Sequence, residues 1–256
     1  MKKFMSAALL SAVAVVCGLF CGCGEDEDKP ILKMACEATF RPYEFRDKDN
    51  NICGVDVDLM DAVAKKLGRK LVVIDMPFDA VIAAAVTGKC DAAAAGITIT
   101  EDRKKQVDFS IPYVEAAQVI IVPLNSKITK AADLKDKKIG VQDGTTSADY
   151  VAENFQAPER YTNSALAVTA MIAGKIDAVV CDSEPAMALA KQNEGKVKIL
   201  PEPLTKEEYA VAFKKGNKEL LDATNAVIAE MKQNGKLKAL FAKYEEKKDE
   251  KAEEKK

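Results

Sequence analysis

The sequence contains no histidine and no tryptophan, and aromatic residues make up only 6% of its 256 residues. Without histidine the chain offers neither an imidazole base nor a histidine ligand for zinc, which excludes most catalytic triads and most zinc enzymes. Lysine and arginine (38 residues) nearly balance aspartate and glutamate (40 residues), for a net charge of −2. This balance excludes a generally basic nucleic-acid-binding protein. No residue spacing indicates a metal site, so we expect no cofactor.

The N-terminus has the pattern of a secretory signal. Two lysines near the start precede an apolar run at residues 4–20 and a small, cysteine-containing segment. The run is too short for a comfortable membrane span. A cysteine at this point resembles the bacterial lipoprotein signal, so we expect a signal peptide at residues 1–22 and a lipid on Cys23. Cys21 fits less well because a bulky Phe would precede the cut, and an ordinary secretory signal or an uncleaved anchor stays open.

Two charged segments flank the remaining chain. Residues 23–29 are acidic and indicate a solvated tether, and residues 245–256 form a charged tail to which we assign no chemistry. Four cysteines remain between them, and we expect mostly free thiols because three lie in apolar strand-like runs: Cys36, Cys53, Cys90 and Cys181.

Apolar strand-like segments alternate with helical segments from residue 31 onward. The strands expected in the first half lie at residues 31–36, 71–74 and 91–95, with helices that begin at Asp56 and Phe78. Such alternation predicts an α/β protein with mostly parallel sheets flanked by helices. The chain is long enough for one large domain or two small ones.

The second half repeats this organisation. Strands are expected at residues 138–141 and 176–181, and helices at 146–154 and 164–173. The segment 88–92 (Gly-Lys-Cys-Asp-Ala) recurs 86 residues later as Gly-Lys-Ile-Asp-Ala. The recurrence predicts two similar α/β lobes, although a Gly that ends a helix before a strand is also common by chance. Extended segments at 118–122 and 207–213 would join the lobes, and a helical segment from 220 to 244 would pack on the first lobe.

Polar residues follow several of the expected strands, where open α/β sheets bind their ligands. Thr100 suits the N-cap of a helix whose first turn contains Arg103, a residue that can hold a carboxylate with two hydrogen bonds. In the second half, Gly144 allows close backbone approach and Thr146 can cap a helix and donate a hydrogen bond. Asp182 follows another strand and could receive an ammonium group. Ordinary capping and surface roles explain each residue separately.

Two aromatic residues and one acid could complete a pocket for an α-amino acid. Glu37 and Phe40 follow the first strand, and Phe78 begins a helix. Two rings could enclose a flat or cationic side chain, with Glu37 as its counter-charge. Core packing is the ordinary alternative for each ring.

Five segments give the chain a specific resemblance to a known family. It resembles the polar amino acid-binding proteins of ABC importers, a group of family 3 solute-binding lipoproteins, from about residue 31 to residue 244. The segments with Gly-Val-Asp-Val-Asp and Ala-Gly-Ile-Thr-Ile-Thr-x-x-Arg are the most specific. The five segments lie at 40–45, 54–59, 95–103, 107–113 and 144–147.

The resemblance implies a two-lobed type II periplasmic-binding fold. Each lobe is a mixed, mostly parallel sheet with flanking helices, and two hinge strands join the lobes. Lobe 1 would comprise 30–112 and 212–244, and lobe 2 would comprise 118–206. The hinges would be 113–117 and 207–211.

The resemblance also implies a role for each candidate site residue. Arg103, Thr98 and Thr146 would bind the ligand's α-carboxylate. Asp182 would bind its α-ammonium, helped by the backbone of Ala95 or Gly96. Phe40 and Phe78 would flank the side chain, with Glu37 and Gln142 near its tip.

The charge at the tip of the pocket indicates a basic amino acid. Glutamine-specific relatives have Lys where this chain has Gln142 and His where it has Cys181, and both departures weaken a glutamine assignment. Without that Lys, Glu37 has no compensating cation, and an arginine or lysine side chain would supply one. Arginine is favoured slightly because its planar group stacks on aromatic rings.

These implications describe a monomeric receptor rather than an enzyme. It would lie in the periplasm or at the cell surface, anchored by its lipid, and deliver an amino acid to an ABC permease in the membrane. Some dehydratases that act on cyclic acids share the fold, and Glu37 and Glu184 are the acids such an enzyme could use. A sensor with the same pocket is a second alternative.

Overall fold

A computed structural model describes residues 29–246 of the chain. The predicted signal peptide, Cys23 and its lipid, nearly all of the tether and most of the charged tail lie outside these residues. Within the described part, no helix is both long enough and apolar enough to cross a membrane. None of the four cysteines in the described part, Cys36, Cys53, Cys90 and Cys181, forms a disulfide bond there.

The first of two five-stranded sheets is built mainly from the N-terminal half. One of its strands, β15 (Ala212–Lys214), is antiparallel to the other four. In spatial order the strands are β5 (Lys70–Asp75), β1 (Ile31–Cys36), β6 (Ala92–Ala93), β15 (Ala212–Lys214) and β7 (Val107–Phe109).

The second sheet has the same design, and its strand β9 (Gln118–Pro123) is antiparallel to the other four. In spatial order its strands are β11 (Glu159–Tyr161), β10 (Ile139–Gln142), β12 (Ala178–Asp182), β9 (Gln118–Pro123) and β13 (Val197–Ile199). Each sheet therefore has parallel strands whose carboxyl ends lie at one edge.

Helices cover both sheets, and two small sheets complete the fold. A three-stranded sheet contains β2 (Thr39–Phe40), β3 (Glu44–Arg46) and β4 (Ile52–Cys53), and β8 (Val114–Ala116) pairs with β14 (Glu207–Tyr209) between the large sheets. The helices are α1 (Val55–Lys66), α2 (Phe78–Val86), α3 (Glu101–Lys104), α4 (Thr146–Asn154), α5 (Ser164–Ile172), α6 (Ser183–Gln192), α7 (Lys218–Gln233) and α8 (Lys236–Glu246).

The repeated sequence segment occupies equivalent positions in the two large sheets. Gly88 and Gly174 follow α2 and α5 with φ angles of 75° and 72°. The Asp91 carboxylate accepts the backbone N–H of Lys33 at 2.8 Å, and the Asp177 carboxylate accepts that of Lys138, also at 2.8 Å. The same contacts fix the start of β1 and of β10, so the recurrence reflects structure rather than chance.

The apolar residues form one core around the first sheet and two clusters on the second. Residues of α7 and α8, including Val227, Ile228 and Leu237, belong to the core of the first sheet, as expected for the C-terminal segment. The segment forms two helices rather than one because Gly235, with φ of 76°, separates them.

The extended segment expected at 207–213 is two strands. β14 pairs with β8, whereas β15 enters the first sheet between β6 and β7. The change of partner takes place at Ala210 and Val211, which are fully buried. An unbroken apolar run in the sequence does not reveal such a change.

Gly54 offers a test of the packing that precedes α1. Its φ is 144°, and an added Cβ would lie 2.0 Å from the carbonyl oxygen of Tyr43. Gly88 also has positive φ, but an added Cβ there meets nothing within 4 Å. We expect Gly88→Ala to lower the free energy of unfolding by about 1 kcal/mol and Gly54→Ala by roughly 2 kcal/mol more, because backbone atoms must move. Urea unfolding of both variants measures the difference, and equal losses would contradict the expected clash.

Candidate functional site

Eight of the ten sequence-predicted site residues line a narrow cavity between the two large sheets, whereas Glu37 and Ala95 are not among its lining residues. About 10 Å³ of it is open to the centres of water-sized molecules, roughly the space of one water. Most of the lining residues follow the carboxyl ends of strands or begin helices. They are Phe40, Phe78, Gly96, Thr98, Arg103, Gln142, Thr145, Thr146 and Asp182.

Arg103 connects the two sides of the cavity. The hydroxyl of Thr100 caps α3 by accepting the backbone N–H of Arg103, as predicted. The guanidinium donates to the carbonyl of Thr98 at 2.8 Å and to that of Gly144, from the second sheet's side, at 3.2 Å. It also lies 5.6 Å from the centroid of the Phe78 ring. Burial lowers the pKa of Arg103, and Asp182 is the main charge that opposes the shift.

The cap of α4 differs from the sequence-based expectation. Thr145, not Thr146, is the N-cap, and its hydroxyl accepts the backbone N–H of Ala148. Thr146 is thereby free of the capping role and faces the cavity. The close approach at Gly144 is present: an added Cβ would lie 3.0 Å from the Cα of Asp79 across the cleft.

Asp182 is a buried carboxylate at the end of β12. Its Oδ1 accepts hydrogen bonds from the amide of Gln118 (2.8 Å) and from the hydroxyl of Tyr209. Burial raises the pKa of Asp182 to about 7, and the nearby charge of Glu207 adds to the shift. The site therefore disfavours the charged form of Asp182 unless a cation approaches it.

Glu207 is a second carboxylate beside the cavity, and the sequence had placed it only in a hinge. Its Oε2 accepts the hydroxyl protons of Thr98 (2.7 Å) and Thr146 (3.0 Å), and its Oε1 accepts that of Thr205 (2.9 Å). Thr98 lies on the side of the first sheet and Thr146 on that of the second. One carboxylate thus links the two sides.

Glu37 and Gln142 meet from opposite sheets. The amide of Gln142 donates to Glu37 at 3.4 Å, and the hydroxyl of Thr39 donates to it at 2.5 Å. Burial raises the pKa of Glu37, while these two hydrogen bonds oppose the shift. Neither partner has a positive charge.

Gly96 is held against Phe40 by a buried acid. Its φ is 55°, and an added Cβ would lie only 2.4 Å from the Phe40 ring. Its N–H donates to Asp56 at 3.0 Å, so the Asp of the Gly-Val-Asp-Val-Asp segment supports the binding loop. Ala95 is buried beside Gly96 and is not among the residues that line the cavity.

Sequence reasoning missed three polar residues that organise the site: Gln118, Glu207 and Tyr209. Gln118 is fully buried and joins Asp182, Thr146 and the hydroxyl of Ser147 through its amide. Its position at the start of an apolar run was the available signal. Glu207 and Tyr209 gave none, because their hydrogen bonds with Thr98, Thr146 and Asp182 span 27 to 109 positions of sequence.

Two similar sheets joined by paired strands, with a polar cleft between their strand ends, define a two-lobed type II periplasmic-binding fold. A comparison with family models matches residues 32–247 to the bacterial extracellular solute-binding proteins, family 3. The chain belongs to this family. The expected fold class and family are thereby confirmed.

Individual relatives agree with this assignment. A probable histidine-binding protein of Neisseria gonorrhoeae is 34% identical, over 95% of this chain and 96% of the relative. The arginine-binding extracellular protein ArtP of Bacillus subtilis is also 34% identical, over 95% and 98%. Two structures of an ancestral arginine-binding protein, one bound to arginine and one to glutamine, are 43% identical, with a TM-score of 0.79, and cover 84% of this chain and 98% of theirs.

The raised pKa of Asp182 predicts a pH-dependent stability. The pKa of Asp in an unfolded chain is ~3.9. Between that pH and a pH of about 7, the native state therefore binds more protons than the unfolded state. The contribution of Asp182 to the free energy of unfolding therefore decreases as the pH rises through this window. Asp182→Asn removes the titrating group. As the pH rises through the window, the free energy of unfolding of this variant should therefore increase relative to that of wild type. The total increase is about 1.4 kcal/mol for each unit by which the native pKa exceeds the unfolded pKa.

Urea unfolding of ligand-free protein at pH 5, 6, 7 and 8 measures this difference. Asp222→Asn, at an exposed position of α7, is the matched control and should parallel wild type. If Asp182→Asn also parallels wild type, the assigned ionisation is wrong.

Proposed function

We propose that the protein is an extracytoplasmic receptor that captures a basic amino acid, arginine before lysine, for an ABC importer. The observation that carries the proposal is the placement of Arg103 and Asp182 around one cavity, at the ends of strands from two sheets. A cationic group and an anionic group at one cavity suit the two charged ends of an α-amino acid.

The local contacts support a division of these roles. Arg103 would hold the α-carboxylate, assisted by the start of α4, where helix N–H groups favour an anion. Asp182 would hold the α-ammonium, helped by the backbone of Gly96, which lines the same cavity. Phe40 and Phe78 would enclose the aliphatic part of the side chain.

Access of a ligand requires the two lobes to separate, because the cavity holds little more than one water molecule. The lobes would turn about residues 113–117 and 207–211, which contain the paired strands β8 and β14. Closure would add the contacts of Gln142, Thr146 and Asp182 to a ligand already bound by the first lobe. Contacts made only in the closed form provide the differential affinity that favours closure.

Glu37 favours a ligand with a basic side chain. It is 6% exposed, and its hydrogen-bond partners Thr39 and Gln142 are neutral. A guanidinium or ammonium group would compensate a buried carboxylate whose hydrogen-bond partners are both neutral. Relatives and solved structures named as arginine-binding support the same ligand class.

Delivery would take place at the outer face of the cytoplasmic membrane. The family consists of extracellular solute-binding proteins, whose function requires no bond chemistry at the cleft. A lipid on Cys23 would keep the protein near its permease, and residues 23–29 would give it reach. We propose that it acts as a monomer.

Glutamine is the second candidate ligand. Burial raises the pKa of Glu37 and so disfavours its charged form, which lessens the need for a cationic side chain beside it. The ancestral arginine-binding protein solved with glutamine shows that a 43% identical relative accepts that ligand.

Calorimetric titration with all twenty amino acids tests the proposal directly. Residues 24–256 are purified, then unfolded and refolded to remove bound ligand. We expect L-arginine to bind most tightly, and Asp182→Ala to abolish the binding. Glu37→Gln should weaken L-arginine by about a hundredfold relative to L-glutamine, because the charge that pairs with the guanidinium is lost.

Glu153→Gln, at an exposed position of α4, controls for the loss of one negative charge. It should leave the arginine-to-glutamine preference unchanged. A wild-type preference for glutamine would keep the receptor and refute the basic ligand, whereas a folded protein that binds no amino acid would refute the receptor.

A further inference from the structure

The carboxylate of Glu207 accepts hydrogen bonds from the hydroxyls of both cavity threonines. Thr98 and Thr146 donate to the same oxygen, at 2.7 Å and 3.0 Å. The threonines belong to opposite lobes, whereas Glu207 lies on β14, between the lobes. The sequence assigned these hydroxyls to the ligand's carboxylate, and this geometry gives them another acceptor.

A threonine hydroxyl has one proton to donate and two lone pairs that accept. Once the proton points to Glu207, the oxygen can offer only lone pairs to the cavity. Thr146 also accepts a hydrogen bond from the amide of Gln118 at 3.1 Å, which leaves it one lone pair. Lone pairs attract an ammonium group and repel a carboxylate.

Glu207 is itself held in a fixed position. Its side chain is 9% exposed, and the hydroxyl of Thr205 binds its second oxygen at 2.9 Å. Its backbone pairs with Ala116 of β8. The neighbouring Thr98 forms a bridge to Tyr209, so the binding loop runs alongside the strand that holds the acid.

We propose that Glu207 is a positioning residue for ligand recognition: it orients the hydroxyls of Thr98 and Thr146 so that both present acceptors to the ligand's ammonium group. The inference rests on the proposed function, because it needs an amino acid in the cavity. It also ties recognition to closure, since the hydroxyl of Thr146 comes from the opposite lobe to meet that of Thr98 at Glu207.

A double-mutant cycle separates this role from a merely structural one. Thr98→Val removes the hydroxyl at nearly constant shape, and Glu207→Met removes the acceptor at similar side-chain length. Calorimetry measures the Kd of L-arginine for wild type, both single variants and the double variant. In wild type we expect Thr98→Val to weaken binding by about tenfold. With Met at position 207 the same change should cost less than about threefold, because the hydroxyl is no longer oriented.

Two further variants test whether the acceptor at position 207 orients the hydroxyl of Thr98. Glu207→Gln keeps an oxygen that can accept the threonine protons and should restore most of the effect of Thr98→Val. Glu208→Met, at the exposed neighbouring position of β14, should leave that effect unchanged at about tenfold. Circular dichroism confirms that each variant is folded, and Glu207→Ala, which also removes the acceptor, serves for the cycle if the methionine variant is not.

The outcomes distinguish the role of Glu207 from the proposed receptor function. Binding of L-arginine by wild type with additive effects of Thr98→Val and Glu207→Met overturns the role of Glu207 and leaves the receptor intact. A wild-type protein that binds no amino acid overturns the proposed function itself. Coupling between Thr98→Val and Glu207→Met supports the inference when the effect of Thr98→Val returns toward tenfold in the Glu207→Gln background.

Discussion

Charged side chains enclosed between two sheets are the constraint on which the rest of this structure depends. Arg103, Asp182 and Glu207 surround one narrow cavity, and each would be costly to bury without partners. The protein satisfies them with hydrogen bonds to Thr98, Thr146, Gln118 and the backbone of Gly144. Two of these arrangements join the two sides of the cleft: Arg103 donates to Gly144, and Glu207 accepts from both Thr98 and Thr146. The same groups that hold the lobes together are therefore the groups a zwitterionic ligand would use.

The supporting structure keeps these groups in position. Strand ends from both sheets place Gln142 and Asp182 at the cleft, and a short capped helix places Arg103 there. Buried Asp56 fixes the N–H of Gly96, whose φ of 55° brings the loop against Phe40. Recognition and folding thus share residues, which explains why a sequence motif at the start of α1 bears on a site far from it in sequence.

Local pattern was sufficient for most elements of the fold. Residues 31–36 and 146–154 form the strand and the helix that periodicity predicted, because burial of one face imposes that periodicity. The repeat of Gly88 and Gly174 correctly indicated equivalent units. Local pattern did not reveal the change of sheets at Ala210 and Val211, because it depends on distant partners; the family resemblance alone placed a hinge at 207–211 and lobe 1 from 212. The N-cap of α4 was predicted wrongly because two adjacent threonines compete for it.

The sequence by itself determined the α/β alternation, the family and most of the residues that line the cleft, because these depend on local periodicity and on short motifs. Tertiary structure alone decided which hydroxyl faces which acid. Glu207 meets Thr98 across 109 positions of sequence and Thr146 across 61, and no local signal specifies such a meeting. The direction of a hydroxyl proton, and hence the kind of group it recognises, depends on the acceptor nearby in space.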